Sequence, residues 1–219
     1  MITAGAFKSV AIISHMDQQI KIISNWLGSG SINIFGLPFS GKDTQGRDLA
    51  RLLGGHLIAG GDILRSYPDQ NKIKELMSTG DLFPTDFYLS IVLPYLSKSE
   101  FKDQPLILSS IGRMHGEEPV VMQAATESGH DIKAVIHLDM SEKDVWQRFD
   151  AAKNMHDRCD RADDKAEILK NRLREFRDKT VPVIQYYRDK SLLIEVDDTL
   201  SQAEVLQEII EGLYSLAMR

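Results

Sequence analysis

A single cysteine, Cys159, stands among 219 residues. One thiol closes no intrachain disulfide, so the fold must rest on its core, and such sparing use of cysteine suits a reducing cytoplasm. Long apolar runs are also missing. No stretch reaches the ~18 residues that a membrane helix needs, and Val10–Ile13 is far too short. The opening residues lack the charged segment and long apolar stretch of a signal peptide, so none is expected. There is no excess of base: 26 Lys and Arg face 32 Asp and Glu, a net charge of −6. That excludes the basic surface of a general nucleic-acid binder, although an acidic chain still binds polyphosphate where its arginines converge. No internal repeat or low-complexity segment interrupts the chain. What remains is 42% hydrophobic and 26% charged, enough for one large domain with a sizeable core.

The most informative segment is Gly36-Leu37-Pro38-Phe39-Ser40-Gly41-Lys42-Asp43-Thr44, directly after the run Ile32-Asn33-Ile34-Phe35. A strand that enters a glycine-bearing turn and then a helix is what a phosphate cradle requires. The turn aims backbone N–H groups inward, the helix N-terminus adds partial positive charge, and Lys42 reaches outer phosphates. A nucleotide is therefore the default ligand.

Elsewhere the pattern alternates short apolar strands with helical segments. Strands are expected at His56–Ala59, Pro105–Leu108, Ala134–Leu138 and Leu192–Val196. Helices are expected after the glycine turn up to Gly54-Gly55, and over Asp62–Leu76, Thr85–Leu96, Val120–Thr126, Val145–Ala152 and Ala203–Leu213. From Asp163 onward Leu169, Leu173, Phe176, Val183 and Tyr187 recur at helical steps, with Pro182 read as a kink. Before the first strand, Met16, Ile20, Ile23, Trp26 and Leu27 mark an amphipathic helix with Ser14 as its cap. The alternation implies a parallel sheet covered on both faces.

These segments, in this order, resemble the adenylate kinase family of nucleoside monophosphate kinases from about Ile32 to the C-terminus. The resemblance rests on the phosphate loop Gly36–Thr44 followed by Gln45, on Gly61-Asp62-Ile63-Leu64-Arg65, and on Met77–Leu82 followed by Pro84. It continues through Arg113, Arg148, Arg161-Ala162-Asp163-Asp164, Arg172, Thr180–Ile184 and Tyr187. It implies an α/β, three-layer P-loop kinase fold: a five-stranded parallel sheet, a helical monophosphate-binding insertion over 60–96 and a short lid over 152–161. Residues 1–31 would be an extension outside the kinase domain, 32–219. Some relatives hold zinc in a long lid; here His156, Cys159 and Asp160 are too crowded for a tetrahedral site and read as surface loop residues.

By the same resemblance, Gly36, Pro38, Ser40, Gly41, Lys42, Asp43, Thr44 and Arg148 would hold ATP. Gly60, Gly61, Arg65, Arg113 and Glu117 would hold the monophosphate, while Lys42, Arg113, Arg161 and Arg172 would carry the transfer. Asp163 and Asp164 would orient lid arginines or cap the next helix. Arginine suits these places because its planar fork pairs with phosphate oxygens. The expected cofactor is Mg2+, the acceptor AMP by default, and the protein a cytoplasmic monomer with no membrane or nucleic-acid partner.

The departures from the family pattern cluster at the phosphates. Phe39 replaces a glycine, Asp43 a small residue, Ser109 a carboxylate that helps hold magnesium, and Ala152 a lid arginine. A carboxylate ~4 Å from a phosphate charge costs roughly 4 kcal/mol at an effective dielectric near 20. Asp43 therefore either takes over the magnesium-side role lost at Ser109, or points outward at the helix N-terminus, where its charge is welcome. At the acceptor base, Gly60 stands for a threonine and Glu117 for a glutamine. An ionised carboxylate only accepts hydrogen bonds, which favours guanine's N1–H and 2-amino group over adenine; Glu118 is the alternative occupant of that place. Two functional readings follow: an Mg-dependent ATP:nucleoside-monophosphate phosphotransferase, or a degenerate relative that binds nucleotide as a regulatory or interaction module.

Overall fold

The structure is a computed structural model that describes residues 4–155 and 165–219. Its centre is a five-stranded, all-parallel sheet of β1 (Ser31–Gly36), β2 (His56–Ala59), β3 (Leu106–Ser109), β4 (Ile132–Asp139) and β5 (Leu193–Asp197). The strands lie in the order β2-β3-β1-β4-β5. Every residue of β1 and β3 is buried, as expected of parallel strands covered on both faces. Ile32 and Ile34 face one apolar cluster with Leu49, Leu53, Ile136 and Ile209, while Phe35, Leu106, Leu108 and Val135 face the other with Val92, Phe149 and Tyr187.

The helices that cover the sheet are α1 (Ala4–Leu27), α2 (Lys42–Leu53), α3 (Gly60–Ser66), α4 (Gln70–Thr79), α5 (Thr85–Leu96), α6 (Glu118–Glu127), α7 (Glu142–Met155), α8 (Ala166–Glu175), α9 (Val181–Asp189) and α10 (Gln202–Ala217). A short 3-10 turn at Ser99–Phe101 precedes β3. In α2, buried Gln45, Leu49 and Leu53 recur every four residues, and Gly54 ends the helix in the left-handed region. Residues 60–96 form α3, α4 and α5, all between β2 and β3.

Three local expectations change. The segment read as one helix over 62–76 is two, because Pro68 cannot continue a helix and Tyr67 before it is extended. The first helix begins at Ala4, so Ser14 lies inside it rather than at its N-terminal cap. Pro182 makes no kink: it sits in the first turn of α9, where a missing N–H costs least, and the irregularity lies upstream, in a π-turn at Phe176–Thr180.

The connections from β1 and β3, neighbours in the sheet, leave in opposite directions, β1 toward β2 and β3 toward β4. Such a switch point opens a crevice at the strand carboxyl ends, where ligands of α/β sheets bind. Both loops that carry the phosphate-site departures start there.

Candidate active site

The phosphate loop begins at Gly36, the buried last residue of β1. A Cβ on Gly36 would come within 2.5 Å of the Ser40 hydroxyl, so no larger residue closes this turn. Phe39 and Gly41 both adopt left-handed backbone, φ 66° and 71°. For a phenylalanine that conformation costs of order 1–3 kcal/mol. Packing offsets it: the Phe39 ring meets Phe149 edge-on at 5.6 Å, and its carbonyl accepts from Arg148 Nη1 at 3.1 Å. Thr44 and Gln45 donate their N–H groups to Gly41 O and start α2. Lys42 Nζ lies 3.4 Å from Leu37 O.

Arg148 lies outside the lining of the cleft. Its guanidinium pairs with the buried Asp198 carboxylate at 2.7 Å and also donates to Asp198 O, tying α7 and the β5–α10 turn to the phosphate loop. Burial pushes the Asp198 carboxyl up to about 6, against the opposing pull of Arg148.

The second loop, residues 110–117, follows β3. Buried Asn33, in the middle of β1, grips it on both sides: its Nδ2 donates to Ile111 O at 2.7 Å and its Oδ1 accepts from Ile111 N at 3.3 Å. Glu117 accepts from Met114 N at 3.1 Å, and Glu118 from Gly116 N at 2.6 Å and the His115 ring at 2.9 Å. Both glutamates are buried, and burial raises the Glu117 carboxyl above the usual range. Ser109, the last residue of β3, donates its hydroxyl to Asp43 Oδ1 at 2.7 Å. Asp43 therefore points inward, across the crevice, rather than out into solvent.

An open cleft joins these loops to α3, to the end of α4 and to α8. Lys42, Asp43, Gly60, Gly61, Arg65, Ser109, Arg113, Glu117 and Arg172 all line it. Arg113 lines it half-buried. Desolvation first, and the neighbouring Arg172 charge second, pull its guanidinium down to about 10, which leaves it cationic at neutral pH. Arg65 pairs with Asp62 at 2.5 Å on the exposed rim. At Gly60 the backbone passes close under Tyr88: an added Cβ would lie 2.5 Å from the Tyr88 hydroxyl, which donates to Ser110 O at 3.2 Å. The tyrosine thus fills the space that a side chain at 60 would occupy. Arg161, with His156, Cys159, Asp160, Asp163 and Asp164, lies outside the described residues, as does most of the stretch expected as a lid.

The adenylate kinase family model matches residues 34–192. The chain belongs to the adenylate kinase family. As such it is a nucleoside monophosphate kinase, an ATP-binding transferase. It is similar to proteins named adenylate kinase from Dehalococcoides mccartyi, 28% identical over 84% of this chain and 97% of that protein. Those of Fusobacterium nucleatum (26%, 82% and 96%) and Methanococcoides burtonii (26%, 84% and 98%) are similar as well. Within this adenylate kinase fold, Asn33, Tyr88, Asp198 and, on α8, Asn171, Arg174 and Glu175 were not singled out from sequence. Only Asn33 left a signal there, a lone amide inside an otherwise apolar strand.

Proposed function

We propose that the protein moves the γ-phosphoryl group of ATP to a nucleoside monophosphate in this cleft, with AMP the acceptor that family membership leads one to expect. The supporting observation is convergence: Lys42, Arg65, Arg113 and Arg172 come from four separate chain segments and line one opening. Like charges held together at a desolvated site are unfavourable unless an anion joins them. Two nucleotides set end to end supply that anion.

Phosphoryl transfer demands alignment and charge neutralisation rather than covalent chemistry from the protein. The backbone of Gly36–Thr44, including Pro38, Ser40 and Gly41, cradles the donor phosphates, and Lys42 reaches the outer ones. Arg65 and Arg113 clamp the acceptor phosphate beside Gly60, Gly61 and Glu117. Arg172 faces the transferring group, and Arg161 is the second arginine that the family pattern assigns to the transfer. Arg148 acts at one remove, by holding the donor loop through Phe39 O.

Magnesium fits the residues at the crevice. It favours carboxylate, hydroxyl and water oxygens, and Asp43 and Ser109 present a carboxylate and a hydroxyl side by side next to Lys42. The carboxylate missing from the end of β3 is replaced by one at the start of α2, and the 2.7 Å hydrogen bond between the two positions preserves an oxygen pair there. When bound, the ion neutralises phosphate charge, and it turns Asp43 from a repulsive group into an attractive one.

A coupled assay for ADP from ATP plus AMP, with and without Mg2+, tests the reading. Turnover that needs Mg2+ and vanishes in Asp43→Asn supports it. Asp43→Asn as active as wild type would remove Asp43 from the metal site. No ADP with AMP, GMP, CMP or UMP would leave a nucleotide-binding module in place of an enzyme.

A further inference from the structure

One helix touches the cleft from several sides. Asn171 on α8 donates its amide to Thr79 O and to Asp81 Oδ1, both at 2.8 Å. Arg174, one turn on, reaches the same Asp81 oxygen at 3.7 Å. Glu175, buried at the end of α8, accepts from Leu82 N at 3.1 Å while Lys179 pairs with it at 2.5 Å. The contacts fall on the segment from Thr79 to Leu82, of which Gly80, Asp81 and Leu82 line the cleft. Further along the same helical rod, Thr180 donates its hydroxyl to Arg113 O at 3.0 Å. Arg172, in the first of these turns, faces the cleft itself.

The π-turn at Phe176–Thr180 makes this double grip possible. An α-helix advances about 100° per residue, so residues five apart face about 140° away from each other. A turn closed by i→i+5 bonds returns them to one side. Glu175 and Thr180 are so related, and both point into the cleft walls.

We infer that Asn171, Glu175 and Thr180 are positioning residues that fix the acceptor end of the cleft, with Asn171 and Glu175 docking the loop after α4 and Thr180 setting the backbone of Arg113. The inference rests on the cleft being the acceptor site. It assigns none of the three a contact with substrate. Their effect passes through Leu82, Asp81 and Arg113, and it must appear on the monophosphate and not on ATP.

The test uses the full chain with Asn171→Ala, Thr180→Val and, as the conservative variant, Thr180→Ser. Monophosphate affinity is measured by calorimetry without ATP, and the KM values for acceptor and ATP, with kcat, are measured by coupled assay. Each of the first two variants is expected to weaken monophosphate binding and raise its KM by at least about five-fold, since Thr180→Val loses one hydrogen bond and Asn171→Ala two. ATP KM stays at the wild-type value even where the lost hydrogen bond lowers the melting temperature, and Thr180→Ser retains wild-type affinity. Unchanged monophosphate affinity in both variants overturns the inference. So does a parallel loss of ATP affinity with a lowered melting temperature, the mark of a merely structural role. A wild type that binds monophosphate but never turns it over removes the kinase reading while the affinity ratios still decide this one. A wild type that binds none of AMP, GMP, CMP or UMP overturns both.

Discussion

Two loops leave neighbouring strands at the same crevice, and they are held in different ways. The phosphate loop is short, and most of what shapes it is local: Gly36 under Ser40, left-handed turns at Phe39 and Gly41, and the first N–H groups of α2 returning to Gly41 O. The loop of Arg113 has local contacts too, with left-handed turns at Ser110, Gly112 and Gly116 and caps from Glu117 and Glu118, but its other ties reach far along the chain. It hangs on Asn33, 78 residues earlier, on Tyr88, 22 residues earlier, and on Thr180, 67 residues later. A cradle of backbone N–H groups can be written into nine consecutive residues. The backbone that carries Arg113 needs side chains from the neighbouring strand and from two distant helical segments.

This contrast can be broken from either side. Lys42→Ala has the largest expected effect, a fall in kcat of about three decades, because a preorganised charge at the transferring group is lost. Its melting temperature should stay near wild type, since Lys42 contributes charge rather than packing. Asn33→Leu should do the opposite. It keeps the volume but leaves the Ile111 N–H and C=O buried without partners, at a cost of about 2–4 kcal/mol of stability. Denaturant titration reads that loss, and the acceptor KM should rise with it as Arg113 shifts. If Asn33→Leu were as stable as wild type, the second loop would be locally determined too.

Glu117→Gln sharpens the comparison within the second loop. If the carboxylate reads the base as well as capping Met114 N, the ratio of GMP to AMP turnover should fall about tenfold in the variant. A wild type with an overwhelming AMP preference, unchanged in Glu117→Gln, would leave Glu117 as a turn cap alone.

The tie behind the phosphate loop gives an effect that depends on pH. The Asp198 carboxyl stands at about 6 in the folded protein, above its ordinary 3.8. Between those values the folded state holds more protons than the unfolded one, so the contribution of Asp198 to stability grows as pH falls from about 6 toward 4, by at most about 1.4 kcal/mol per unit. Asp198→Asn should lack that slope when unfolding free energies of the two proteins are compared across this range.

Much of this was legible from residue patterns. The strands His56–Ala59 and 106–108 and the helix Thr85–Leu96 follow from apolar spacing and flanking glycine or proline, because burial on a sheet or helix face imposes periods that local reading detects. The break at Pro68 was missed because apolar spacing continues across it, although the proline itself carried the warning. The π-turn was missed because an extra residue in a helix shows only when its neighbours must reach two different loops. At the site, Asp43 illustrates the boundary. Its charge beside a phosphate cradle was an evident conflict, but nothing local distinguished an outward carboxylate from an inward one; the Ser109 hydroxyl, 66 residues away, decides it.

Taken alone, the order of residues determined the phosphate cradle, the alternation of strands and helices, and membership in a kinase family, since each is set by contacts between near neighbours or by periodic burial. Only the folded chain decided which arginines meet, which way Asp43 turns, and which side chains hold Arg113 in place. Those outcomes depend on pairings across the sheet and between helices, where the partner of a group is chosen by geometry and desolvation rather than by its distance along the chain.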